Sequence, residues 1–370
     1  MADMTRRDLG AAALAAAAAG GIGPGGAAGG GVDGGLGRAE AMAGDDDPTA
    51  LQVPAQSIPV PRSISPAAQA FLAAAGKRIA ATRAARAAGA PPAPVGDGAA
   101  MAAILDRLRP GAARFKGQAE TIDLGNGARL YHFRPDGLAG RAAQVAYFEI
   151  HGGGFTSGGG EMCRLLAQAR AADYGIQVYA VDYRLVPAHA YPAPLDDCMA
   201  AYRAILKAHK APDLVVGGSS AGGNLAAAML LRGRDEELHL PAGLLLLTPG
   251  LDLLNEGDSH RTNKYLDVNL YGEGGAIIYG AGQDRRHPYL SPLFGDFAKG
   301  WPPTILATGT RDLLLSDTVR MHRALRRAGI RADLLVTEAG AHGGFQGQAP
   351  EDMEVLAECR KFIFLTLGIA

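Results

Sequence analysis

The chain has 370 residues, of which 20% are charged and 48% hydrophobic, with a formal net charge of −1. A near-neutral chain without a basic stripe lacks the electrostatic footprint of a nucleic-acid binder. Three cysteines, with no Cys-x-x-Cys and no His-Glu-x-x-His, give no metal framework, so no metal and no cofactor is expected. No repeat of fixed period is present.

Residues 1–43 read as an export signal. Arg6-Arg7 opens a basic segment, an alanine-rich apolar run follows over residues 10–22, and Ala41-Met42-Ala43 offers a small-x-small cleavage site. The paired arginines fit the twin-arginine route, which places the mature protein in the periplasm or outside the cell. The run is too short and too weak for a membrane span, and no cysteine precedes Cys163, so no stable membrane anchor is expected. Replacing Arg6 and Arg7 by lysine should hold the precursor inside the cell on fractionation; unchanged export would remove this signal. About 325 residues then remain, enough for one large α/β domain with an appendage.

Residues 44–115 read as linker and helices. Ser65-Pro66 fits an N-cap followed by proline in the first helical turn. Phe71, Leu72, Ala75 and Ile79 then make one apolar face. A second helix is predicted over about 98–108. Residues 116–370 read as the sheet-based domain, opening with a hairpin that turns at Gly125-Asn126-Gly127.

Two motifs carry chemistry. The strand 145–150 runs into His151-Gly152-Gly153-Gly154-Phe155, a loop whose glycines let main-chain N–H groups face a cavity. In this reading Gly153 and Gly154 supply oxyanion donors, and His151 and Gly152 support the loop. The apolar Leu214-Val215-Val216 runs into Gly217-Gly218-Ser219-Ser220-Ala221-Gly222-Gly223-Asn224 and then an apolar helix. Gly218-x-Ser220-x-Gly222 fits a nucleophile elbow, with the Ala221 N–H at the helix start as a further oxyanion donor.

With these motifs in place, the chain resembles the bacterial hormone-sensitive-lipase-like esterases of the α/β-hydrolase superfamily over about residues 65–364. The resemblance extends to Asp182-Tyr183-Arg184-Leu185-Val186-Pro187, to Asp197, to Gly309-Thr310-Arg311-Asp312 and to His342-Gly343-Gly344-Phe345. Ala188 departs from the family's glutamate, Ser219 from its Asp or Thr, and a second glycine stands between His342 and Phe345. The resemblance implies a mostly parallel central sheet flanked by helices, an N-terminal helical cap over the acyl pocket, and activity on short- to medium-chain acyl esters.

Chain order supplies the remaining groups independently, because α/β-hydrolases place acid and base after the serine. Residues 304–308 read as a strand with Asp312 in the turn beyond it. Residues 332–337 read as the next strand, with His342 five residues past its end. A helix over 317–328 lies between them. Asp312 is favoured as the acid over Asp252 and over Asp317, which reads as an exposed helix cap. The other histidines read as surface or satisfied groups. Cys163 and Cys198 read as core residues. The expected activity is that of a serine carboxylesterase acting through an acyl-enzyme on a small-molecule ester. An amidase, lactonase or sugar deacetylase would use the same groups, and a binding protein on this scaffold is the remaining alternative.

Overall fold

A computed structural model of the chain describes residues 50–51, 53–88, 98–270 and 274–369. The export signal expected over 1–43 lies outside the described residues. Two helices come first, α1 (Pro66–Ala87) and α2 (Gly98–Ala113). The Ser65 Oγ accepts the Ala68 N–H at 3.1 Å, the N-cap that Ser-Pro predicts. Phe71, Leu72 and Ala75 are buried on the apolar face.

The strands are β1 (Gly117–Gly125), β2 (Ala128–Pro135), β3 (Ala146–Ile150), β4 (Gln177–Asp182), β5 (Leu214–Ser219), β6 (Gly243–Leu247), β7 (Thr304–Gly309) and β8 (Ala332–Thr337). They form one sheet in the order β1-β2-β4-β3-β5-β6-β7-β8. The β1–β2 hairpin is antiparallel and joins β4 antiparallel; every pair from β4 to β8 is parallel.

Side chains alternate across the inner parallel strands β3, β5, β6 and β7 and are covered on both faces, while the edge strand β8 is partly exposed. One face carries Phe148, Ile150, Val216, Leu244, Leu246 and Leu306. It packs on the helices Ala193–Ala208 (α4), Ala221–Asp235 (α5) and Leu315–Arg327 (α6). The opposite face carries Tyr147, Val215, Leu245 and Ile305 and packs on Glu161–Tyr174 (α3) and Pro350–Leu367 (α7). Each fully buried Leu or Val contributes about 1.5–3 kcal/mol before the entropy of ordering is subtracted. Cys163, Cys198 and Cys359 are buried free thiols, Cys163 on α3 and Cys198 on α4.

Among the described residues the first two helices join separate apolar clusters. The start of α1 packs on the segment beyond β8, where Phe71 meets Phe345 edge to face at 5.9 Å. By contrast, α2 lies on α3 through Leu108 and Ala112. Among the described residues no helix is long and apolar enough to cross a membrane.

The topology fixes where a site can form. From β3 the chain moves to β4 on one side, then returns to β5 on the other. Loops leaving the carboxyl ends of β3 and β5 therefore diverge, which opens a crevice at the switch point. His151 follows β3 and Ser220 follows β5.

Candidate active site

Ser220 sits between β5 and α5 with φ 54° and ψ −120°. A non-glycine residue held there is strained, and such strain gathers at functional sites. The surroundings impose it. The Ser220 N–H donates to the Leu247 carbonyl at 2.9 Å. The Asn224 amide donates to the Gly250 and Leu290 carbonyls, both at 2.8 Å, and anchors the first turn of α5. A Cβ on Gly222 would stand 2.0 Å from the Ile150 carbonyl oxygen, so the elbow closes onto the end of β3 only with glycine there.

The glycine loop after β3 lies against this elbow. A Cβ on Gly152 would come 3.3 Å from the Ser220 Cβ, and Gly153 and Gly154 adopt φ 116° and 59°. The N–H groups of Gly153, Gly154 and Ala221 donate to no protein acceptor among the described residues. His151 holds the loop rather than the chemistry: its Nδ1 lies 2.7 Å from the Gly152 carbonyl oxygen, and its ring stacks on Tyr183 at 4.1 Å. The Tyr183 hydroxyl donates to the His151 carbonyl at 3.0 Å. Burial lowers the pKa of His151 below its ordinary 6.5 against that Gly152 bond, which favours a neutral ring. Phe155 stacks on Tyr279 at 4.1 Å and closes the far side of the loop.

The loops after β7 and β8 complete the cluster. His342 Nε2 stands 2.9 Å from Ser220 Oγ, and His342 Nδ1 stands 3.1 Å from Asp312 Oδ1. All three side chains are buried. Asp312 Oδ2 accepts the Thr308 hydroxyl at 2.7 Å, and Oδ1 accepts the Leu314 N–H at 3.0 Å, which turns the carboxylate toward the imidazole. Burial by itself would lower the His342 pKa. The Asp312 charge and hydrogen bond, then the Asp267 charge, outweigh it and raise the pKa above 6.5.

The rival carboxylates lie elsewhere. Asp252 accepts from Arg320 Nη1 at 2.5 Å and from the Leu254 N–H at 2.9 Å. Asp317, expected as an exposed cap, is fully buried in the first turn of α6, because the connection after β6 folds over it. It accepts the Leu251 and Asp252 N–H groups at 2.8 and 3.0 Å and pairs with His260 Nε2 at 3.1 Å. Arg184 locks Asp197 with two bonds, Nε–Oδ2 at 2.9 Å and Nη2–Oδ1 at 2.8 Å, which fixes the loop after β4.

Several residues at the site carry no motif. Thr308 is the penultimate residue of β7, four residues before Asp312, and its position there is the only sequence cue to it. Asn263, Asp267 and Asn269 belong to the long β6–β7 connection, which has no hydrophobic periodicity to announce it. Asn263 Nδ2 donates to the Thr310 and Asp312 carbonyls at 3.1 and 2.9 Å. Asn269 Nδ2 donates to the His342 and Gly344 carbonyls at 2.8 and 3.0 Å. Asp267, Asp312 and His342 bring ligand-type atoms within 4.8 Å of one another. Those atoms already serve hydrogen bonds within the cluster, so an ion among them would break the contact between His342 and Asp312.

A sheet of this order with a strained serine at its switch point defines the α/β-hydrolase class. Comparison with known proteins agrees. Residues 147–346 match the family described as alpha/beta hydrolase fold. An esterase of Acinetobacter venetianus is 32% identical over 272 residues, covering 71% of this chain and 88% of the relative. The crystal structure of an esterase E25 superposes with a TM-score of 0.70 at 31% identity, covering 85% of this chain and 98% of that one. A hormone-sensitive lipase from a metagenome library gives 0.61 at 30% identity, covering 71% and 91%. The chain belongs to the hormone-sensitive-lipase-like esterases of the α/β-hydrolase superfamily, and by class it is a carboxylic ester hydrolase.

Proposed function

We propose that the protein is a serine carboxylesterase that cleaves small-molecule acyl esters of short to medium chain length through an acyl-enzyme. The observation that carries this reading is the continuous line from Ser220 Oγ through His342 to Asp312, at 2.9 and 3.1 Å. In this mechanism His342 Nε2 takes the Ser220 proton as Oγ attacks the ester carbonyl. Asp312 fixes the Nδ1–H tautomer and stabilises the imidazolium. The N–H groups of Gly153, Gly154 and Ala221 receive the oxyanion, each contributing on the order of 10²–10³ in turnover. His342 then gives its proton to the leaving alcohol, and the same base activates the water that releases the acid.

Chain-length preference rests on the family resemblance. The contact of Phe71 with Phe345, three residues past His342, supports a cap role for the start of α1. The export reading of residues 1–43 stands as part of the same proposal.

The test is hydrolysis of p-nitrophenyl esters from acetate to decanoate. The expected profile peaks among the shorter chains. Absence of turnover on every ester, with folded protein, would move the assignment to an amide, a lactone or an acetylated sugar. The pH profile adds a sign. Catalysis needs neutral His342, and the pKa of that ring is raised above 6.5. Activity is therefore full at higher pH and lost as pH falls through a value above 6.5; a limb below 6.5 would contradict this electrostatic account.

A further inference from the structure

We infer that Asp267 is a positioning residue of this site, a second carboxylate that clamps the acid loop to the base loop and holds His342 by its charge. The inference rests on the proposed roles of Ser220, His342 and Asp312, and extends them to a residue that never touches the substrate.

The geometry is specific. Asp267 is 1% exposed and lies on the β6–β7 connection. Its Oδ1 accepts the N–H groups of Asn269 at 2.9 Å and Leu270 at 3.0 Å, which curls its own segment around the carboxylate. Its Oδ2 accepts the Leu313 N–H at 2.8 Å, the residue directly after Asp312. The His342 N–H points at both oxygens, 3.3 Å from Oδ1 and 3.2 Å from Oδ2. One buried carboxylate thus ties together the backbones that carry the acid and the base. Those backbones leave neighbouring strands and are also joined nearer the sheet, by the Thr310 N–H on the Thr337 carbonyl at 3.0 Å, the Arg311 N–H on the Gly340 carbonyl at 2.9 Å and the Ala339 N–H on Thr310 Oγ1 at 2.7 Å; Asp267 carries the tie out to Leu313 and His342 themselves. Misplacement by about an ångström costs a reaction of this kind heavily.

The charge has a second effect. Among the described residues the ionisable groups that act most on Asp267 are Asp312 and His342. Burial first, and then the Asp312 charge, push Asp267 up to about 6, against His342 and the N–H bonds from Leu313 and Asn269. A carboxylate kept in such a place at neutral pH needs a compensating charge. The imidazolium that forms when His342 takes the serine proton supplies it. Asp267 therefore stabilises the same transient charge as Asp312, from the backbone side of the ring.

Asp267→Asn separates these effects from simple bracing. The amide cannot accept on both of its atoms, so some of the N–H groups it faces lose their partner and the loops loosen. Loss of the charge also lowers the His342 pKa. The expected result is a fall in kcat of about tenfold or more and a shift of the acid limb of kcat/KM toward lower pH by about one unit. Asn269→Ala is the control, because it removes three bonds to the base loop, to the His342 and Gly344 carbonyls and from Gln346 Nε2, and no charge. It should lower kcat and leave the limb in place. Direct titration of the His342 ring by NMR in ¹⁵N-histidine-labelled protein, assigned with His342→Gln, reads the same shift without turnover. An imidazole pKa equal in wild type and Asp267→Asn overturns the proposal. Should Asp267→Asn not fold, Asp267→Glu keeps the charge on a longer arm. It should keep the imidazole pKa and lose kcat, and an unchanged kcat would overturn the clamp. Ser220→Ala measured alongside keeps the two failures apart. If that variant stays active, the catalytic reading falls, whereas an unmoved imidazole pKa beside an inactive Ser220→Ala removes Asp267 alone.

Discussion

Ser220→Ala is expected to cut kcat on a p-nitrophenyl ester by on the order of 10⁴–10⁶-fold while leaving circular dichroism and thermal midpoint nearly unchanged. The fold should tolerate the change for a local reason. The elbow is held by the Ser220 N–H on Leu247, by Asn224 on Gly250 and Leu290, and by the contact of Gly222 with β3. None of these uses the hydroxyl, whose hydrogen-bond partner among the described residues is His342 Nε2. Alanine meets the same positive φ with a similar steric penalty, so the strain already borne at φ 54° is little altered. His342→Ala should lose nearly as much, and the double variant hardly more than either, because nucleophile and base act as one unit. A Ser220→Ala protein retaining most of its turnover would remove the serine mechanism.

Asp312→Asn is expected to lower kcat by about 10⁴-fold. An amide facing His342 Nδ1 can present its N–H₂, which selects the wrong imidazole tautomer and leaves the imidazolium without its counter-charge. The same change at Asp252 sets the contrast. Asp252 is buried too, but its charge is spent on Arg320 and on the turn at Leu254. Asp252→Asn should keep most of kcat and cost stability, about 1–3 kcal/mol for the weakened charge-assisted bond, read from urea unfolding. The opposite pattern, with turnover lost at Asp252 and kept at Asp312, would transfer the acid role. Asp317→Asn belongs with Asp252, since its partners are His260 and the backbone of residues 251–252.

How much of the molecule could be read from its residues depends on the range of the interaction involved. The inner strands β3, β5, β6 and β7 announce themselves because strands buried on both faces are short, mostly apolar runs, whereas the edge strand β8 is only partly buried. Val215-Val216 and Leu244-Leu245-Leu246-Leu247 are two such runs, and both lie within observed strands. The predicted bounds of β8 coincide with the observed Ala332–Thr337. The hairpin at Gly125-Asn126-Gly127 and the cap at Ser65 are equally local, set by turn and capping chemistry within a few residues. Asp317 misled for the opposite reason. At the start of a helix an aspartate is by habit an exposed cap, and only the fold of the distant β6–β7 connection buries it and supplies His260.

The sequence by itself determined the class of the fold and pointed to Ser220, Asp312 and His342, which the structure brings together. Those residues stand in strand-end turns whose glycines and chain order are local signals. Only the tertiary structure decided which carboxylate faces His342, that Asp252 is bound to Arg320, and that Asp267, Asn263 and Asn269 tie the acid and base loops together. The physical reason is that these contacts join residues 30 to 75 positions apart through individual hydrogen bonds. Such bonds leave no period and no spacing in the chain, and they exist only once the sheet has set its strands side by side.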